Sequence, residues 1–143
     1  MRCEQIMTRN PSTCPMDATI VEVARLMAEE DVGFVPIVDE QGRAVGTVTD
    51  RDIVIRVVAK GLDVKTARLR DFGGNEVIYC RSDDDISRAA ELMQKHKIQR
   101  ILVCDEQRKP VGVISLQDLA KAESEKEVGE TVREVKEEGA AVH

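Results

Sequence analysis

Two short clusters carry the polar groups that could do chemistry. Thr49, Asp50, Arg51 and Asp52 stand between two apolar runs in "VGTVTDRDIVIRVVAKG", and Ser115, Gln117 and Asp118 hold the same place in "VGVISLQDLAKAESE". Both clusters have the form Gly-x-x-Thr/Ser-x-x-Asp, from Gly46 to Asp52 and from Gly112 to Asp118. This spacing has two readings. As a capping box, the hydroxyl and the carboxylate satisfy free N–H groups at a helix start, and no ligand is needed. As a binding site, the same helix start offers N–H groups and the positive end of its dipole to an anion, while the carboxylate accepts the two hydroxyls of a ribose. Arg51 would then add a charge-assisted contact to a phosphate. Both readings need a strand that ends on the hydroxyl residue and a helix that begins there.

The elements that must supply this geometry occur twice. A shift of 66 residues lays positions 16–53 on positions 82–119 without a gap: Ile20 meets Ile86, Leu26-Met27 meets Leu92-Met93, "DEQ" meets "DEQ", Val45-Gly46 meets Val111-Gly112, and Cys14 meets Cys80. Ile20, Val23, Ala24 and Met27, like Ile86, Ala89, Ala90 and Met93, fall at i, i+3, i+4 and i+7, the apolar face of a helix. Asp17 and Asp83 sit where they favour its start. "FVPIV" and "RILVC" are short, branched and apolar, and turn-like "DEQGR" and "DEQRK" separate each from a second apolar run, so each copy contains a strand hairpin. A second helix follows, ending in the first copy at Gly61. With "STC" and "VIYC" as leading strands, the expected fold is α/β (α+β), with two β-α-β-β-α repeats. The expected divisions are a first repeat over 1–66, a second over 67–123 and a charged tail over 124–143. One such repeat leaves an apolar sheet face open, and two packed about a pseudo-twofold axis close it.

Composition narrows the partners. The chain has 143 residues, enough for one sizeable core, with 21 basic against 27 acidic residues, a net charge of −6, and Phe34, Phe72 and Tyr79 as its aromatic residues. It lacks the basic face or stacking platform of a nucleic-acid binder. No apolar run approaches the roughly 20 residues of a membrane span, and "MRCEQIMTRN" has no apolar signal core, so a cytoplasmic protein with reduced thiols is expected. Cys3, Cys14, Cys80 and Cys104 form no CxxC pair, and His96 has only the terminal His143 as a fellow histidine, so no metal spacing is present. Neither a Ser-His-Asp or Cys-His arrangement nor a P-loop suggests an enzyme.

The repeat "IMTRNPSTCPMDATIVEVARLM … VGFVPIVDEQGRAVGTVTDRDI" resembles a cystathionine-β-synthase (CBS) domain, and the tandem resembles a CBS pair, or Bateman module. The second copy departs from the pattern, with "FGG" at 72–74 in place of "IMT" and Leu102 in place of Pro36. The resemblance implies an adenosine nucleotide, AMP or ATP, as ligand in clefts between the repeats, with no required cofactor. It implies Asp52 and Thr49 at the ribose and phosphate of one site, with Asp118 and Ser115 at the other. Adenine is then expected near Thr13–Cys14 and Val32–Phe34, and in the second copy near Tyr79–Cys80 and Ile98–Arg100. Arg100 joins Arg51 as a phosphate candidate, and its repeat mate is Phe34. A homodimer and an unidentified regulated protein are the implied partners. The alternative is an interaction module that keeps the fold without a nucleotide.

Overall fold

The computed structural model describes residues 1–72 and 76–125. The chain opens with a short helix α1 (Cys3–Ile6) and strand β1 (Thr8–Arg9). The first repeat follows as β2 (Cys14–Pro15), α2 (Ile20–Glu30), β3 (Phe34–Val38), β4 (Ala44–Thr49) and α3 (Asp50–Ile53), which runs on as a π-helical turn over Val54–Val58. After a 3₁₀ turn at Leu69–Phe72, the second repeat gives β5 (Tyr79–Arg81), α4 (Ile86–His96), β6 (Arg100–Cys104) and β7 (Pro110–Ser115). A helix α5 over 116–125 completes it. Each repeat is the expected strand, helix, strand, strand, helix. Of the tail expected over 124–143, residues 126–143 lie outside the described residues, as do Gly73 and Gly74 of the "FGG" segment.

The 66-residue shift holds down to single pairings. In the first sheet Cys14 lies opposite Ile37, Phe34 opposite Thr49 and Ile37 opposite Gly46, with a bulge between Ile37 and Val38. In the second, Cys80 lies opposite Val103, Arg100 opposite Ser115 and Val103 opposite Gly112, with a bulge between Val103 and Cys104. Positive φ recurs at the same offsets, at Asp31 and Lys97 after the helices and at Gly42 and Arg108 in the hairpin turns. Burial alternates along β4 and β7, with Val48 and Ile114 in the two repeat cores and Ala44 and Val113 in the seam between the repeats.

The helix starts differ from the expectation. Thr19 caps α2, accepting from the Glu22 N–H at 3.3 Å while Glu22 accepts from the Thr19 N–H at 3.2 Å. Asp85 caps α4, accepting from the Ser87 N–H at 2.9 Å. Asp17 and Asp83, two residues earlier, instead pair with Arg70 and Arg81. The capping box at Thr19 competes better for the orphan N–H groups because it satisfies two donors reciprocally.

The two repeats exchange their leading segments. Strand β1 pairs antiparallel with β7, so the second sheet runs β1-β7-β6-β5 while the first is β2-β3-β4. Cys3, Ile6 and Met7 pack into the core of Cys80, Ala89, Met93, Ile101 and Ile114, whereas Val64, Ala67, Leu69 and Phe72 pack into that of Ile20, Val23, Val35 and Val57. A third apolar cluster joins Ala44 and Phe34 of the first repeat to Leu102, Cys104, Tyr79 and Val113 of the second. The Ala44 N–H donates to the Arg108 carbonyl at 2.9 Å across the same seam. The repeats therefore form one body, and a cleft opens at the end of their seam.

Candidate functional site

Both Gly-x-x-Thr/Ser-x-x-Asp clusters are capping boxes. The Thr49 N–H donates to Asp52 Oδ2 at 2.8 Å and the Asp52 N–H to Thr49 Oγ1 at 3.1 Å. The matching bonds at Ser115 and Asp118 are 2.9 and 3.1 Å. Each carboxylate is half-buried at the junction of a strand and a helix. The cap occupies Oδ2 in both, and a carboxylate has about four lone-pair sites, so a second acceptor oxygen is left for another donor. Capping and ligand binding can therefore share one carboxylate.

The surroundings separate the two copies. Ser115 and Asp118 line a cleft of about 420 Å³ together with Arg100 and Val113, while Val32, Gly33 and Phe34 face them from the first repeat. Thr8–Ser12 form its third wall. Ligand sites usually enclose about 300 to 1,000 Å³, so this cleft has room for a nucleotide-sized molecule. Asp52, by contrast, borders a recess of about 40 Å³ lined by Ile20, Ile37, Gly46, Val57 and Phe72, with Arg56 at its rim. That space is about a tenth of the cleft's.

Close backbone approach builds the mouth of the larger cleft. The Asp50 N–H donates to the Gly33 carbonyl at 3.0 Å, and a Cβ on Gly33 would lie 2.9 Å from the Asp50 carboxyl carbon. Half-buried Arg100 reaches the same Gly33 carbonyl at 3.5 Å from the other repeat. This is a long bond that leaves most of the guanidinium's donors uncommitted. Arg9 also borders the cleft, and its guanidinium donates to the Glu4 carbonyl at 3.0 Å. On the acidic side stand Glu30, Asp31 and Asp118, with Glu30 accepting from the Ser12 hydroxyl at 2.5 Å.

The structure thus brings Val32, Phe34, Arg100, Ser115 and Asp118 around one space. Thr49 and the exposed Arg51 border neither this cleft nor the recess. Thr13 is exposed, and Cys14 is buried with its thiol on the Pro36 carbonyl at 3.8 Å. Burial pushes the Cys14 thiol up to about 12. Tyr79 belongs to the seam, Cys80 to the second core, and Ile98 to a groove with Ala90, Met93 and Leu119. Arg9, Asn10 and Ser12 went unseen in the sequence because they join the second repeat from the far end of the chain. The only sequence signal for them was polarity next to Pro11.

Two repeats of β-α-β-β-α joined by a shared seam, with a cleft at its end, define a tandem module of the Bateman type. The CBS domain model matches residues 3–59 and again 69–125, and the chain belongs to the CBS domain family. The CBS domain-containing protein YhcV of Bacillus subtilis is 37% identical over 114 residues, covering 80% of this chain and 79% of YhcV. An uncharacterized protein of Methanopyrus kandleri, MK0525, is 32% identical over 119 residues, which are 83% of this chain but 61% of that protein. Among solved structures, CBS domain protein PAE2072 from Pyrobaculum aerophilum, complexed with AMP, is 32% identical with a TM-score of 0.75, covering 83% of this chain and 90% of that one. The CBS domain pair of protein MJ0100, in complex with 5'-methylthioadenosine and S-adenosyl-L-methionine, is 25% identical with a TM-score of 0.74, covering 88% and 98%. Two CBS domain proteins similar to this chain are therefore known in complex with adenosine compounds. Among the described residues, no helix is long and apolar enough to cross a membrane.

Proposed function

We propose that this chain is a non-catalytic regulatory module that binds an adenosine nucleotide in the cleft between its repeats and signals through the resulting change in their arrangement. The observation that carries the reading is the composition of the cleft: a ribose-type acceptor (Asp118), a largely uncommitted guanidinium (Arg100) and an aromatic face (Phe34) surround a space of about 420 Å³. The two complexes with adenosine ligands among similar CBS pairs support it. Because the walls come from both repeats, a ligand that touches both shifts the balance between their arrangements by its differential affinity.

Charge favours a monophosphate. Arg9 and Arg100 are set against Glu30, Asp31 and Asp118, so the cleft cannot neutralise the several charges of a triphosphate, whereas the roughly two charges of a monophosphate can be shared by Arg100 and Arg9. AMP is therefore favoured over ATP. Titration calorimetry of the whole chain with AMP, ATP and adenosine tests this. AMP should bind more tightly than either of the others, and equal weakness for all three would refute the reading.

The capping geometry favours a second reading, in which the fold serves as an interaction module and both motif aspartates act only as caps. Absence of binding by AMP and adenosine at millimolar concentration would select it. In either reading we propose that two modules pair. Val54, Ile55, Val58 and Leu62 expose 57, 44, 58 and 45% of their surface along the π-helical turn and the segment after it. A row of apolar residues of this kind on a monomer marks a contact surface. Light scattering should give a dimer that Val54→Glu with Val58→Glu converts to a monomer.

A further inference from the structure

The leading segment of the chain packs against the second repeat around a pair of free thiols. Cys3 on α1 and Cys80 on β5 are fully buried, and their Sγ atoms lie 3.7 Å apart. Around them the clasp is polar: the Cys3 N–H donates to the Asp84 carbonyl at 2.8 Å, the Glu4 N–H to the Ser82 carbonyl at 3.0 Å, and the terminal amine to Asp85 at 3.3 Å. The first repeat provides an internal comparison. Cys14, the mate of Cys80, makes the same bond to the neighbouring strand, 3.8 Å from the Pro36 carbonyl as Cys80 is from that of Leu102. The mate of Cys3, however, is Leu69, which packs in the same core as Cys14. An aliphatic side chain therefore satisfies this packing position, and the fold does not require a thiol there.

We propose that Cys3 and Cys80 are a redox-sensitive pair that a peroxide converts into a disulfide, locking the N-terminal clasp onto the second repeat. The sulfurs must approach from 3.7 Å to about 2.05 Å, a movement that side-chain rotation and a small shift of a four-residue helix can supply. Local opening of residues 1–7 admits the oxidant, since a four-residue helix held by a few backbone bonds opens at lower cost than the core. The Cys3 thiolate attacks one peroxide oxygen, the O–O bond breaks, and water leaves with a sulfenic acid on Cys3. The Cys80 sulfur then attacks the Cys3 sulfur, gives up its proton, and a second water leaves as the S–O bond breaks. The thiols lose two electrons and the peroxide gains them. Cys3 sits on the short helix that opens and meets the oxidant first, whereas Cys80 stays held in the sheet opposite Val103. The clasp leads directly into residues 8–12, so oxidation also fixes one wall of the cleft. That consequence rests on the nucleotide reading, whereas the disulfide itself does not.

Trypsin places the four cysteines on separate peptides: 3–9, 10–25, 71–81 and 101–108. The full chain is treated with hydrogen peroxide, its remaining thiols are alkylated under denaturing conditions, and it is digested without reductant. Mass spectrometry should find peptides 3–9 and 71–81 joined and released by dithiothreitol, with Cys14 and Cys104 still alkylated. The oxidised chain should melt about 5 to 10 °C higher, and Cys3→Ser should abolish both effects. Linkage through Cys14 or Cys104, or conversion of Cys3 and Cys80 to unlinked sulfur acids, overturns the proposal. So does an unreacted pair. The mapping on the parent chain decides the question even if the variant folds poorly.

Discussion

Replacing Arg100 with alanine should separate phosphate recognition from every other contribution to binding. The guanidinium is half-buried at the cleft, and the one bond it makes there, to the Gly33 carbonyl, is 3.5 Å long. Among the described residues, no carboxylate lies within ion-pair distance of it. Its loss should therefore cost the unliganded protein less than about 1 kcal/mol. A charge-assisted bond to phosphate contributes about 1.5 to 3 kcal/mol, so AMP should bind roughly 10- to 150-fold more weakly to Arg100→Ala. Adenosine, which has no phosphate, should change by less than about threefold. Arg51→Ala should leave both ligands within about twofold, because that side chain is exposed outside the cleft. Titration calorimetry at fixed ionic strength reads all of these. Equal losses for AMP and adenosine in Arg100→Ala, or a larger loss in Arg51→Ala, would refute the assignment of the phosphate to Arg100.

Other perturbations probe the same architecture. Asp118→Asn retains a capping side chain but should weaken AMP and adenosine alike by about 1 to 3 kcal/mol in the same titrations, and Asp118→Ala should in addition lower stability in urea by about 1 kcal/mol. Gly112→Ala should destabilise by about 1 to 3 kcal/mol, because its Cβ would come within 2.9 Å of Met7 Cβ, whereas Gly46→Ala meets nothing closer than Ile37 at 3.5 Å and should stay within about 0.5 kcal/mol by urea denaturation. Asp85 is pulled down to about 2 by hydrogen bonds from Ser87 and then by the terminal amine. Its folded value lies below the ordinary carboxylate value of about 3.9. The contribution is therefore full above that ordinary value and lost as pH falls through about 2. A carbon-detected NMR titration should show the Asp85 midpoint in that acid window, and an ordinary carboxylate midpoint would contradict the cap that Asp85 forms on α4.

Much of the fold was legible because the repeat is gapless. Once Ile20 is set on Ile86 and Gly46 on Gly112, the period of the helix and the alternation of the strands fix burial, and the observed registers and bulges agree residue by residue. The exchange of leading segments was not legible. Thr8–Arg9 is a two-residue strand whose side chains are both exposed, so no apolar period marks it, and its partner β7 lies about a hundred residues away. The helix starts were misplaced because Asp17 and Asp83 look like caps in isolation, and only the three-residue spacing from Thr19 to Glu22 shows the better one. At the site, the motif named Ser115 and Asp118 and the family resemblance named Arg100. The unequal clefts, however, follow from three-dimensional placement: Asp52 has the same capping bonds as Asp118 but borders only a small apolar recess.

A crystal structure of the whole chain grown with AMP tests the central claim most directly. The nucleotide should lie in the inter-repeat cleft, with its ribose hydroxyls on Asp118, its phosphate on Arg100 and its base against Phe34 and the Val32–Gly33 backbone. A chain that binds no AMP at millimolar concentration, or holds it away from these residues, would contradict the account and leave the aspartates as helix caps.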